Sequence, residues 1–191
     1  MSEALRQATK IMVIRHAEKP PNSPPPCGVT LMGEREKESL TVRGWQRAGA
    51  LASLFAPPND CFQDPALSRP QFLYASRFIR RNGSKRPIET IMPLAEKTAI
   101  RINSNFSKDD VRNMLEEVFL CAGAVLICWQ YEFIPKIASY ILGNREASPQ
   151  SWPEDRFDVV WVFDRDTATD QYTFKQVPQN LLMGDWDIPI K

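Results

Sequence analysis

The chain has 191 residues, 24 Lys and Arg against 23 Asp and Glu, a single histidine and a formal net charge of +1. This is the length of one domain (residues 1–191) with a sizeable core, and its charge balance offers no field for nucleic acid or an anionic membrane, so any anion must be held by a local pocket. The start lacks the apolar centre of a signal peptide, the longest apolar stretch (residues 122–129) is far short of a membrane span, and Cys27, Cys61, Cys121 and Cys128 have no paired ligand spacing, which predicts a cytoplasmic protein with free thiols and no metal site.

Ile11-Met12-Val13-Ile14 is an apolar run that ends abruptly in Arg15-His16-Ala17-Glu18. It reads as a buried strand delivering polar side chains to its C-terminal edge, where α/β sheets bind ligands. The proline-rich stretch 20–26 is a loop, and the charged run 34–38 reads as a solvated face without chemistry. Thr41 caps a first helix with Ala48, Leu51, Ala52 and Phe55 on one face, ended by Pro57-Pro58-Asn59-Asp60. A short strand follows at 72–75. Ser84 caps a second helix facing inward with Ile88, Ile91, Met92 and Ala95, and a third helix starts at Ser107 and presents Val111, Met114, Leu115 and Val118.

Residues 124–129 form a buried strand, and a fourth helix carries Ile134, Ile137, Ala138 and Ile141 up to a stop at Gly143. Strands at 158–164 and 172–177, joined by the polar turn 166–170, add an antiparallel edge. Strands alternating with amphipathic helices predict an α/β fold, a three-layer sandwich with a mostly parallel sheet and helices on both faces.

Chemistry is expected at the strand-to-helix junctions. A guanidinium beside an imidazole suits a phosphate, since Arg15 can grip oxygens bidentately while His16 attacks phosphorus. Arg86, followed by Pro87, falls at a helix start where free N–H groups and the helix dipole favour an anion. Ser76 follows the second strand, and the junction after residue 129 presents Gln130, Tyr131 and Glu132.

These segments resemble the histidine phosphatase superfamily, phosphoglycerate mutase-like branch. The resemblance rests on Arg15-His16-Ala17-Glu18-Lys19, on Leu40-Thr41-Val42-Arg43-Gly44-Trp45-Gln46-Arg47-Ala48, on Tyr74-Ala75-Ser76 and on Arg86-Pro87-Ile88-Glu89-Thr90, in register over the first two-thirds of the chain. It implies a phosphoglycerate mutase-like fold and a phosphatase that needs no cofactor or metal, with His16 as the nucleophile forming a phosphohistidine. Arg15 and Arg86 would clamp the phosphoryl oxygens. Thr41 or Arg43 would add a donor nearby, and Glu18 is a further substrate-binding candidate. The implied partner is a small phosphorylated molecule or a phosphoprotein. The tail around 152–158 carries no chemistry that the sequence identifies.

One departure stands out. The family's second histidine falls at Tyr131, and no other histidine can replace it. Losing one preorganised charged donor typically costs about 3–4 kcal/mol, a factor of 10²–10³ in rate. Two readings follow, a phosphatase with weakened activity and a phosphate-binding or partner-binding module without turnover; hydrolysis is favoured over mutase action. The general acid is open among Glu18 (or merely an ion pair with Lys19), Asp109, Asp110 and Glu132; both aspartates follow Ser107, where acids complement a helix dipole.

Overall fold

The computed structural model describes residues 7–21, 25–79 and 84–191. The N-terminal residues 1–6 and part of the proline-rich loop (22–24) lie outside them. Within the described residues the chain runs β1 (Ala8–Arg15), α1 (Val42–Phe55), β2 (Phe72–Ala75), α2 (Arg86–Thr98), β3 (Ile102–Asn103), α3 (Val111–Val118), β4 (Gly123–Trp129), α4 (Ile134–Leu142), β5 (Val159–Asp166) and β6 (Gln171–Pro178). The strands make one six-stranded sheet in the order β3-β2-β4-β1-β5-β6. β1 to β4 are mutually parallel where they pair, and β5 runs antiparallel to both β1 and β6. The terminal pair therefore forms the antiparallel edge that its short polar turn predicts.

Alternate strand residues feed two cores, because successive side chains point to opposite faces. Ile11, Val13, Val125, Ile127, Trp129, Trp161 and Phe163 pack with the apolar faces of α3 and α4. Met12, Ile14, Leu126, Cys128, Val160 and Val162 pack with α1 and α2 on the other side. Helices thus cover both faces, and the central strands are apolar throughout for that reason.

Local signals in the sequence match most element ends. Thr41 Oγ1 accepts the N–H of Gly44 at 3.1 Å and caps α1. Gly143 takes a left-handed conformation (φ 66°) after α4, a backbone that costs glycine little. Three details differ. Ser84 Oγ does accept the N–H of Arg86 at 3.2 Å, but Lys85 occupies the cap position. The buried stripe of α2 is Pro87, Thr90, Ile91 and Leu94, with Ile88, Met92 and Ala95 only half-buried. Ser107 opens a turn closed by the Asp110 N–H (3.0 Å), so α3 begins at Val111. The two-residue strand β3 has no sequence signal long enough to register.

Candidate active site

β1, β2 and β4 are parallel, so their C-terminal ends share one edge of the sheet, and α2 begins on the same side. Arg15 ends β1, and the His16 N–H continues the β1–β4 ladder by donating to the Trp129 carbonyl at 3.1 Å. The next residues are pinned from two sides. The Ala17 N–H donates to Thr90 Oγ1 at 2.8 Å, and that hydroxyl donates to the Arg86 carbonyl at 2.6 Å. Thr90 therefore ties the loop after His16 to the first turn of α2, which gives a physical role to the Arg86-to-Thr90 spacing.

His16 is buried (3% exposed). Its Nδ1 lies 2.8 Å from the Ala17 carbonyl, an acceptor, so Nδ1 carries the proton and Nε2 keeps its lone pair. Burial, reinforced by the charges of Arg15, Arg86 and Lys19, holds the imidazole down to about 3 against the contrary pull of the Ala17 hydrogen bond. The ring is thus neutral at physiological pH, with its free nitrogen unprotonated. That is the state a nucleophile requires.

Arg15 is 1% exposed. Its Nη1 donates to the carbonyls of Pro153 (3.3 Å), Glu154 and Arg156 (3.1 Å). Its Cζ lies 4.4 Å from the Tyr131 ring centroid and 3.9 Å from that of Phe157. Nε and Nη2 are buried with no hydrogen-bond partner among the described residues. These two nitrogens form one edge of the guanidinium fork, the geometry that meets two oxygens of one anion. Leaving such donors buried and unmet is costly. Two more orphans lie at the ends of neighbouring strands, Ser76 Oγ after β2 and Gln130 Oε1 after β4.

Arg86 is the first residue of α2 and its side chain is mostly buried. Nε donates to the Ser39 carbonyl at 3.3 Å and Nη2 to that of Lys37 at 2.6 Å, with Glu38 Oε2 3.7 Å away. The charged run 34–38 is therefore no mere solvated face: it holds Arg86, and Glu36 pairs with Lys85 at 2.9 Å.

Other expected site residues are committed elsewhere. The Glu18 carboxylate lies against Arg47 Nε and Nη2 (3.0 and 2.9 Å) and Arg43 Nε (3.2 Å), so it is neither a free acid nor a partner of Lys19. Lys19 pairs instead with Glu154 at 2.5 Å. Thr41 spends its hydroxyl on the cap and on the Glu18 carbonyl (3.2 Å), leaving no hydrogen for a ligand. Arg43 turns to Glu18 and the Met183 carbonyl. Asp110 accepts from Asn113 Nδ2 at 2.7 Å, and Asp109 is exposed. Glu132 is exposed too, lining a cavity of about 550 Å³ whose walls include neither Arg15 nor His16. Tyr131 uses its ring against Arg15, and its hydroxyl makes no hydrogen bond among the described residues. The tail, silent in the sequence, supplies Phe157 and the three carbonyls on Arg15.

The architecture is a phosphoglycerate mutase-like α/β sandwich, a fold shared with solved structures of low sequence identity. The structure is similar to that of mycobacterial glucosyl-3-phosphoglycerate phosphatase Rv2419c (12% identity, 90% of this chain and 98% of the other, TM-score 0.54). It is similar also to SixA of Agrobacterium tumefaciens, described as a candidate phosphohistidine phosphatase (16%, 88% and 96%, 0.53), and to YhfR of Bacillus stearothermophilus (15%, 91% and 97%, 0.51). No protein-family model and no curated protein matches the sequence. No helix among the described residues is long and apolar enough to cross a membrane.

Proposed function

We propose that this chain is a histidine phosphatase that hydrolyses a small phosphorylated substrate, without a metal, through a phosphohistidine on His16. The observation that carries the reading is the pairing of a neutral, tautomer-fixed imidazole with the unpartnered Nε/Nη2 edge of the adjacent Arg15. Nε2 of His16 attacks phosphorus as the bond to the leaving oxygen breaks, and water then attacks the phosphohistidine, releasing phosphate and restoring the imidazole. Arg15 would hold two non-bridging oxygens and stabilise the charge that spreads over them. The solved relatives include the mycobacterial phosphatase with inorganic phosphate and with VO3, which supports an oxyanion as the ligand class.

Of the four carboxylates the sequence offers as an acid, Glu18 is held by Arg47 and Arg43, Asp110 accepts from Asn113, and Asp109 and Glu132 are exposed to water, so none is a buried free acid. Substrates whose leaving groups need little protonation, such as aryl or acyl phosphates, fit this site best. The test is acid-labile labelling: ³²P from such a substrate should appear on the protein, persist in EDTA and vanish in His16→Ala. No label and no turnover across a broad panel would end the reading.

A second reading has one specific observation behind it. The ring at position 131 stacks on Arg15 and supplies no cation, so a pocket that binds phosphate without turning it over is the alternative. Calorimetry with phosphate or vanadate would then give binding with turnover at background.

A further inference from the structure

We propose that Lys19 is a phosphoryl-binding residue of this site and that the Glu154 carboxylate is the resting anion a substrate displaces from it. The inference rests on the phosphatase reading above and names a residue that reading does not use. Lys19 follows His16 by three positions, beyond the turn pinned by Thr90. Its Nζ lies 5.7 Å from the Tyr131 ring centroid, the ring that Arg15 packs against at 4.4 Å. Two cations, one ending β1 and the other on the loop that follows it, thus share one aromatic. Lys19 brings a second positive charge to within a few ångströms of the ring that Arg15 packs against.

The pairing of Lys19 with Glu154 suits displacement. Their side chains are 27% and 61% exposed, and an ion pair this open to water contributes little. Glu154 is held at the site by its backbone, whose carbonyl accepts from Arg15 Nη1. Its carboxylate can therefore swing into water while the tail stays anchored. A phosphoryl group on the free edge of Arg15 carries more charge than one carboxylate, and an ammonium on a flexible stem can turn to it as a point charge. Lys19 is already among the charges that keep His16 unprotonated.

The alternative role for this pair is a tether between the loop and the tail, and a double-mutant cycle on anion affinity separates the two. Titration calorimetry of the full chain with orthovanadate should show Lys19→Met weakening binding by about tenfold or more, the size of a charge-assisted hydrogen bond. Lys19→Arg should stay within about threefold of wild type. Glu154→Gln should tighten binding by about twofold to fivefold, the weight of an exposed pair, and should do nothing in the Lys19→Met background. If Lys19→Met leaves affinity unchanged, or if Glu154→Gln weakens it as a broken tether would, the proposal is overturned while the phosphatase reading stands. If wild type binds no vanadate and takes no label, both are overturned together.

Discussion

The guanidinium of Arg47 holds the Glu18 carboxylate through Nε and Nη2, 3.0 and 2.9 Å from Oε1, and the same group reaches Asp185 Oδ1 at 2.6 Å. Arg47 and Asp185 are almost wholly buried and Glu18 nearly so. One cation thus joins the loop after His16, helix α1 and the C-terminal tail. Removing it takes the paired cation from Asp185 and leaves Glu18 only the half-exposed Arg43, and breaking a buried pair from one side typically costs about 3–5 kcal/mol. Arg47→Met should lower the free energy of unfolding by about that amount in urea titrations. Arg43→Met, at a half-exposed position, should cost less than about 1 kcal/mol.

The sequence reads well where structure is local. Apolar periodicity locates β1, β4, α3 and α4, and the abrupt end of β1 places Arg15 and His16 at the sheet edge. What it does not carry is the group each side chain meets across the chain. Arg15 meets backbone carbonyls 138 to 141 positions away, and a carbonyl has no residue type to betray it. Glu18 is adjacent to Lys19, yet its partner is Arg47, 29 positions on, because the cap of α1 turns that face of the loop toward the helix. Glu89 shows the same limit. Its exposed look in an amphipathic helix conceals a buried carboxylate that accepts from Ser39 Oγ at 2.7 Å and the Leu40 N–H at 2.9 Å, and burial pushes it up.

His16 is the only histidine, so its ring protons form the one imidazole signal in a proton NMR spectrum. With the folded ring held down to about 3, that signal should not move between pH 8 and 5. In the unfolded chain the ring takes up a proton near pH 6.5, and in the folded chain it does not. The unfolded state thus binds more protons below that value, and stability falls as pH falls. Between pH 7 and pH 5 this group should remove about 2 kcal/mol. The difference between the wild-type and His16→Asn unfolding curves isolates the contribution of this ring; a shift of the ring signal centred near pH 6.5 would contradict it.

Gly44 answers to a close approach rather than to a turn. A Cβ there would stand 2.6 Å from the Glu18 carbonyl oxygen, a backbone atom fixed by the Thr41 N–H (3.0 Å) and hydroxyl. Alanine should favour the helix by up to about 1 kcal/mol, but the clash pushes the loop that carries His16 and should cost about 1–3 kcal/mol. Gly44→Ala should therefore destabilise and reduce anion affinity. Gly49, one and a half turns further along α1, has nothing within 4 Å of such a Cβ. Gly49→Ala should stabilise by up to about 1 kcal/mol. Opposite signs for one substitution on one helix are the outcome to look for in thermal melts.

Tyr131 touches Arg15 with its ring while its hydroxyl makes no hydrogen bond among the described residues. The ring, not the oxygen, should then carry its effect. Tyr131→Phe keeps the aromatic face and should leave vanadate affinity within about twofold. Tyr131→Ala removes it, and the loss of a largely desolvated cation–π contact, about 1–2 kcal/mol, should weaken vanadate by about fivefold to thirtyfold. Tyr131→His keeps a ring beside Arg15 and adds a donor for a phosphoryl oxygen, so turnover of an aryl phosphate should rise towards the 10²–10³ that one charged donor supplies. If phenylalanine proves as damaging as alanine, the hydroxyl itself meets the substrate, and Tyr131 acts in the site as a hydrogen-bond donor instead of a floor for Arg15.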